Sequence, residues 1–162
     1  MAENKTFKVE DAQIIFRNFE GREGQYNREG DRNFAVVLDA ETAEAMLADG
    51  WNIKYLEPRE EGDVATPYIS VSVKFDVRPP RIVMITATTR TPVTEAMVET
   101  LDWADFEIVD LIARGYEWTV NGKSGIKAYL QSLFVTIRED DLERKYGYYA
   151  GAAAEEGDIH DA

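Results

Sequence analysis

Apolar and polar residues alternate along most of the chain. From Tyr68 to Val77, the apolar Ile69, Val71, Val73, Phe75 and Val77 alternate with Tyr68, Ser70, Ser72, Lys74 and Asp76, which gives a strand with one core face and one wet face. Pro79-Pro80 ends that run, and a second β-rich run from Arg81 to Thr89 is the expected hairpin partner. Thr6 to Phe19 and Asn33 to Leu38 read as strands on either side of a long polar hairpin loop, Glu20 to Arg32, that carries Gly21, Gly24 and Gly30. Trp51 to Leu56 predicts a further short strand. Ile108 to Val120 and Ile126 to Ile137 are long β-rich runs separated by Asn121 to Gly125. Asn121-Gly122 within that separator is a hairpin signal, because both residues tolerate positive φ.

Two stretches leave this period. Asp39 offers an N-cap for a short helix from Ala40 to Ala48, with Met46 and Leu47 available to pack and Gly50 to stop it. Thr94 caps a second short helix from Glu95 to Leu101, whose Met97, Val98 and Leu101 form one face and read as a lid on the core. The expected fold is therefore mainly β: an OB-like antiparallel Greek-key barrel with two short helices. Residues 1–146 make up that domain. Gly147 to Ala162 shifts to alanine, glycine and acids, and is expected to be a flexible acidic tail.

Composition narrows the chemistry. A chain of 162 residues with 44% hydrophobic positions is one domain with a core of its own. With no cysteine, disulfides, thiol nucleophiles and thiolate metal sites are excluded, and the single histidine, His160, excludes histidine triads and His-rich zinc sites. Apolar runs such as Ile82 to Ile85 are far below the roughly 20 residues of a membrane span. Met1-Ala2-Glu3-Asn4-Lys5 has no apolar signal region. A cytoplasmic protein with no membrane partner and no cofactor is expected.

A formal charge of −13 argues at first against a polyanionic partner, but the acid is segregated. Asp39 to Asp63 holds eight acids against two bases, and Glu139 to Ala162 holds the same numbers. Lys74 to Arg90 contains Lys74, Arg78, Arg81 and Arg90 against Asp76 alone. Local phosphate neutralisation and base stacking on aromatic rings are the two components of binding to a single strand. Both are present. Arg114, Tyr116 and Trp118 share one side of a strand by period 2, and Lys127 and Tyr129 share one side of the next. The glycine-bearing loop interleaves Arg17, Phe19, Arg22, Tyr26, Arg28 and Arg32. Arg22, Arg28, Arg32, Arg78, Arg81, Lys123 and Lys127 are the candidates for phosphate contacts, and Tyr26, Trp118 and Tyr129 for base stacking.

Competing readings exist for the same residues. Glu20, Glu23, Glu29 and Asp31 match the loop arginines one for one, so those arginines can equally form solvated ion pairs. Tyr and Trp also suit half-buried strands without any ligand. Gly122-Lys123-Ser124 resembles the end of a phosphate loop, but Glu117 stands where that loop needs glycine. Asp102, Asp105, Glu107 and Asp110, or Asp39, Glu41 and Glu44, have the chemistry of Mg²⁺ ligands, yet acids so spaced are ordinarily caps and solvated faces. No catalytic motif stands, so a non-enzymatic protein is expected. The second functional reading is an acidic interaction module of the DNA-mimic type that binds a basic partner through its carboxylates.

Several segments carry a family resemblance: Asn18-Phe19-Glu20-Gly21, Tyr26-Asn27-Arg28-Glu29-Gly30-Asp31-Arg32-Asn33-Phe34, Asp49-Gly50-Trp51-Asn52-Ile53-Lys54, Arg78-Pro79-Pro80-Arg81-Ile82, Leu101-Asp102-Trp103-Ala104-Asp105 and Val120 through Leu130. They resemble small early-region proteins of tailed bacteriophages, some of which are assigned to single-stranded DNA binding. The resemblance runs from Ala12 to Lys145. It implies an OB-like fold and non-specific binding to single-stranded DNA in phage replication or recombination, inside the infected host cell. It implies no set of binding residues. The acidic tail then offers a tether for replication or recombination proteins, and self-association into a homo-oligomer is compatible with the sequence. Bacterial-type single-stranded DNA-binding proteins of this plan close an acidic tip with apolar residues, whereas this chain ends Asp158-Ile159-His160-Asp161-Ala162.

Overall fold

The computed structural model describes residues 5–58 and 60–138, and within them nine strands form one sheet. The strands are β1 (Thr6–Val9), β2 (Ile14–Asn18), β3 (Arg32–Val37), β4 (Ile53–Leu56), β5 (Thr66–Val73), β6 (Arg81–Ile85), β7 (Arg90–Pro92), β8 (Phe106–Val120) and β9 (Lys123–Ile137). The order is β1-β8-β9-β5-β3-β2, with β4 on β5, β6 on β9 and β7 on β6. Among the described residues the ladder does not close into a ring. The gap between its two ends is spanned by the chain itself: Asp11 takes a left-handed turn at φ 50, after which Ala12 N–H donates to Val109 O and Val37 N–H donates to Gln13 O. The run expected as one strand from Thr6 to Phe19 is thus two, one on β8 and one on β3.

Alternation holds along β5 as far as Val73, but the strand expected to run to Val77 stops there and Val77 is 88% exposed. In β5, Ile69, Val71 and Val73 are buried, and they join Phe34, Val36, Leu111, Leu130 and Leu133 in the core. Phe19, just before the loop, stacks on Phe34 with ring centroids 5.2 Å apart and anchors the loop's base. The expected Ala40 to Ala48 helix is α1 (Ala40–Asp49). Asp39 accepts from Thr42 N–H at 2.7 Å, and Gly50 at φ 99 ends it.

Two expected connections differ. β5 and β6 do not form a hairpin; both run parallel to β9, β5 at Val71 and Ser72 and β6 from Arg81 to Ile85. Pro79-Pro80 fixes φ and favours extended backbone before each proline, so the chain passes along the edge of β9 instead of reversing. β6 finds its antiparallel partner in β7, across a turn closed by Thr86 N–H to Thr89 O. The second expected helix is a short 3-10 segment, Val98–Asp102. Its buried Val98 and Leu101 are three apart, the spacing that aligns side chains in 3-10 geometry, and they cover the core as a lid. The five-residue separator Asn121 to Gly125 tightens to a two-residue turn. Val120 opposes Lys123, with Asn121 at φ 52 and Gly122 at φ 77, the backbone of a type I′ hairpin.

One bulge matters for the site. Ile112 opposes Ser132 and Ala113 opposes Leu130, which leaves Gln131 over. Before it Ile126, Ala128 and Leu130 face the core; after it Leu133 and Val135 do. Tyr129 and Phe134 therefore share the outward face despite opposite parity. The expected acidic tail, Gly147 to Ala162, lies outside the described residues, as does His160.

Candidate nucleic-acid interface

On the outward face a transverse row crosses four strands. Asn33 of β3 opposes Ser72 of β5, Ser72 opposes Tyr129 of β9, and Tyr129 opposes Arg114 of β8. One step toward the hairpin, Tyr116 opposes Lys127; one step further, Trp118 opposes Gly125. The Tyr116 and Tyr129 rings meet edge to face at 6.3 Å, and Lys127 Nζ lies 5.3 Å from the Tyr129 centroid. Tyr116 is 62% exposed, so its ring is open to a ligand. Trp118 is half-buried. Its indole lies over Gly125, where a Cβ would come within 2.9 Å of Cζ2 and would also collide with the Asn52 side chain. Glycine at 125 is what lets the indole lie flat on the ribbon. Lys123 follows on the same face beside the turn.

Beside this ribbon is a groove of about 570 Å³, lined by Lys74, Asp76, Val77, Arg78, Arg114, Gly115, Tyr116 and Tyr129. Arg114 Nη2 reaches the Arg78 carbonyl at 3.5 Å. Burial, and then the like charge of Arg78, lower the Arg114 pKa, while Tyr129 opposes that shift. Arg78, Arg114 and Lys74 line this groove against one carboxylate, Asp76, a cationic excess that suits an anion. Lys74 Nζ lies 3.4 Å from Asp31 Oδ1 and joins the groove to the long loop.

That loop is built from asparagines. Asn18 Oδ1 accepts from Arg22 N–H at 2.8 Å, and Asn27 Nδ2 donates to the Arg22 and Asp31 carbonyls at 2.8 and 3.0 Å. Asn33 Nδ2 donates to Asn27 Oδ1 at 2.8 Å and ties the loop to the transverse row. Gly30 N–H donates to Gly21 O at 2.7 Å across the base. Tyr26 stands on the tip turn, 93% exposed.

The ten candidate residues separate accordingly. Arg78, Trp118, Lys123, Lys127 and Tyr129 come together on the β8–β9 face and its groove. Arg81 is one row further along β9, opposite Ser132, with its guanidinium 5.5 Å from the Phe134 ring. Tyr26 and Arg28 are exposed on the loop. Arg22 turns the other way: it lies 3.7 Å from Glu20 and 5.9 Å from the Trp103 ring, with a bond to the Arg17 carbonyl. Arg32 is a brace. Its Nη1 donates to the Phe19 and Glu20 carbonyls, both at 2.8 Å, and its Nη2 lies 3.6 Å from Glu95. The one-for-one pairing of loop acids with loop arginines is realised only by Arg22 with Glu20 among the described residues.

Arg114, Tyr116, Lys74 and Phe134 stand at this face and were not among the ten. Alternation carried Arg114 and Tyr116; nothing local carried Phe134, because the Gln131 bulge shifts the period. Three of the acids with metal-ligand chemistry have structural uses. Asp102 accepts from Phe19 and Glu20 N–H, Asp110 accepts from Asp11 N–H, and Asp105 pairs with Arg138 at 3.5 Å.

Among solved structures the chain is similar to the single-stranded DNA-binding protein from bacteriophage Enc34. For that protein in complex with ssDNA the TM-score is 0.53 at 13% identity, covering 84% of this chain and 87% of that one. A second structure of the Enc34 protein gives 0.52 at 11% identity, over 83% and 82% of the two chains. At these identities the likeness establishes the fold, which is mainly β and OB-like. No curated protein sequence gives a significant match. The model of the family described as "Putative phage ssDNA-binding domain" matches residues 2–161, nearly the entire sequence, and the chain belongs to that family.

Proposed function

We propose that this protein binds single-stranded DNA without sequence preference during phage DNA replication or recombination in the infected cell, acting by binding and not by catalysis. The observation that carries this reading is the outward β8–β9 face, where Arg114, Tyr116, Lys127 and Tyr129 alternate cation and ring across one ribbon beside a groove holding Arg78 and Lys74. Phosphates sit against the cations and bases stack on the rings, a combination tolerant of sequence because every base has a π-face. Family membership supports the same reading, as does the complex of the similarly folded Enc34 protein with ssDNA. Tyr26 and Arg28 reach the strand from the loop, Trp118 and Lys123 from the hairpin, and Arg81 from the row beyond the bulge. Arg22 and Arg32 act by holding the loop.

Titration of the full chain with oligo-dT, followed by tryptophan fluorescence over a range of salt, tests this. Affinity should fall linearly in logarithmic salt. Tyr116→Ala or Tyr129→Ala should each weaken binding by about 1–3 kcal/mol. Arg114→Met should weaken binding and reduce the salt slope by about 0.7, the share of one phosphate contact on a single strand. No binding at low salt, or binding indifferent to salt, overturns the reading.

A further inference from the structure

Three non-glycine residues among those described have backbone in the left-handed region: Asp11, Asn121 and Phe16. The first two are short and polar, the types that tolerate it; a phenylalanine at φ 53 is an outlier. Phe16 sits where β2 slips register against β3, between Ile15 and Asn18. The strain is not repaid by burial, since Phe16 is 59% exposed. Its ring instead meets the Tyr68 ring edge to face, with centroids 5.7 Å apart and planes at 72°, and the side chain stays exposed. Strain held at an exposed side chain marks a presented group.

The position continues the interface already described. Tyr68, Ser70 and Ser72 alternate along the outward face of β5, and Ser72 opposes Tyr129. On the other side Tyr68 opposes Lys54 of β4, so the ladder places a cation next to this ring pair. Two small hydroxyl side chains, and no bulky one, separate the two aromatic sites on β5.

We propose that Phe16 and Tyr68 form a second base-stacking platform for the same single strand, with Lys54 taking a phosphate beside it. The strand then runs from the β8–β9 ribbon across β5 and β3 to β2, four inter-strand steps or roughly 19 Å of sheet. The inference rests on the single-stranded DNA reading above.

Phe16→Gly and Phe16→Asn in the full chain test it, since both residues accept left-handed backbone and relieve the strain. Each variant should melt at or above the wild-type temperature yet bind a 15-residue oligo-dT roughly 5- to 150-fold more weakly, the range expected for one lost stack. Phe16→Tyr should bind within about twofold of wild type. Ultraviolet cross-linking of oligo-dT should label the peptide carrying Phe16 or Tyr68. Unchanged affinity in both Phe16→Gly and Phe16→Asn, while Tyr129→Ala weakens binding, overturns the platform and leaves the DNA-binding reading standing. A wild-type chain that does not bind oligo-dT removes both.

Discussion

Arg28 and Arg32 belong to the same loop, and their surroundings give them opposite duties. Arg28 is exposed and makes no ion pair among the described residues, so its charge is available to a phosphate. Arg32 uses one guanidinium nitrogen on two carbonyls and another on Glu95, and its side chain is only 20% exposed. Arg32→Ala should cost about 1–3 kcal/mol in urea unfolding, because the Phe19 and Glu20 carbonyls lose a charged donor. Lysine should not restore it, since one ammonium cannot reproduce the fork. Arg28→Ala should leave the unfolding midpoint unchanged and lower oligo-dT affinity together with its salt slope. If Arg28→Ala destabilises while Arg32→Ala does not, the division of roles is wrong. Composition could place both arginines in a candidate set but could not separate them. The carbonyls that Arg32 serves, those of Phe19 and Glu20, lie at the opposite end of the loop, and nothing local in the sequence marks a carbonyl as an acceptor. The same holds for Arg22, whose partner ring at Trp103 comes from a distant segment.

Elements whose signals are local were legible, and those defined by distant pairing were not. Asn121-Gly122 specifies its own turn, and Asp39 specifies the start of α1. Asp39 also gives α1 a pH dependence. Its hydrogen bonds from the Thr42 backbone and side chain lower its folded pKa below 3.8. Stability from this cap is therefore complete above the unfolded pKa and is lost as pH falls through the folded one. Asp39→Asn should keep the cap geometry and remove that component, so its acid-unfolding curve should be flatter than wild type below about pH 4. The parallel placement of β5 and β6 on β9 has no local signal; diproline and alternation are as compatible with a hairpin as with a passage along one edge. Gly125 is a further case, ordinary in sequence and necessary in the ribbon. Gly125→Ala would drive a methyl into Trp118 and Asn52, and should cost about 1–3 kcal/mol with a shift in tryptophan emission. An unchanged emission spectrum would mean that the indole does not rest on this glycine.

At the scale of the whole molecule, a charge of −13 and a cationic face coexist because the acid is segregated along the sequence. The stretch Asp39 to Asp63 forms α1 and its following segment, while Arg78, Arg114 and Lys127 gather on the β8–β9 face. The other acidic stretch, Glu139 to Ala162, carries eight acids against two bases and follows β9 in the chain. Any approach of these carboxylates to the cationic face competes with phosphate for the same guanidinium and ammonium groups. That competition is electrostatic, so it weakens as salt shortens the Debye length from about 30 Å at 0.01 M to about 8 Å at 0.15 M. Removing residues 139–162 should therefore tighten oligo-dT binding at low salt, with the two proteins converging as salt rises. Parallel titrations of the full and shortened chains measure this directly. Equal affinity at all salt concentrations would leave the face unopposed. A loss of affinity on shortening would assign DNA contacts to the removed segment and would require the charge arrangement to be redrawn around its two bases, Arg144 and Lys145.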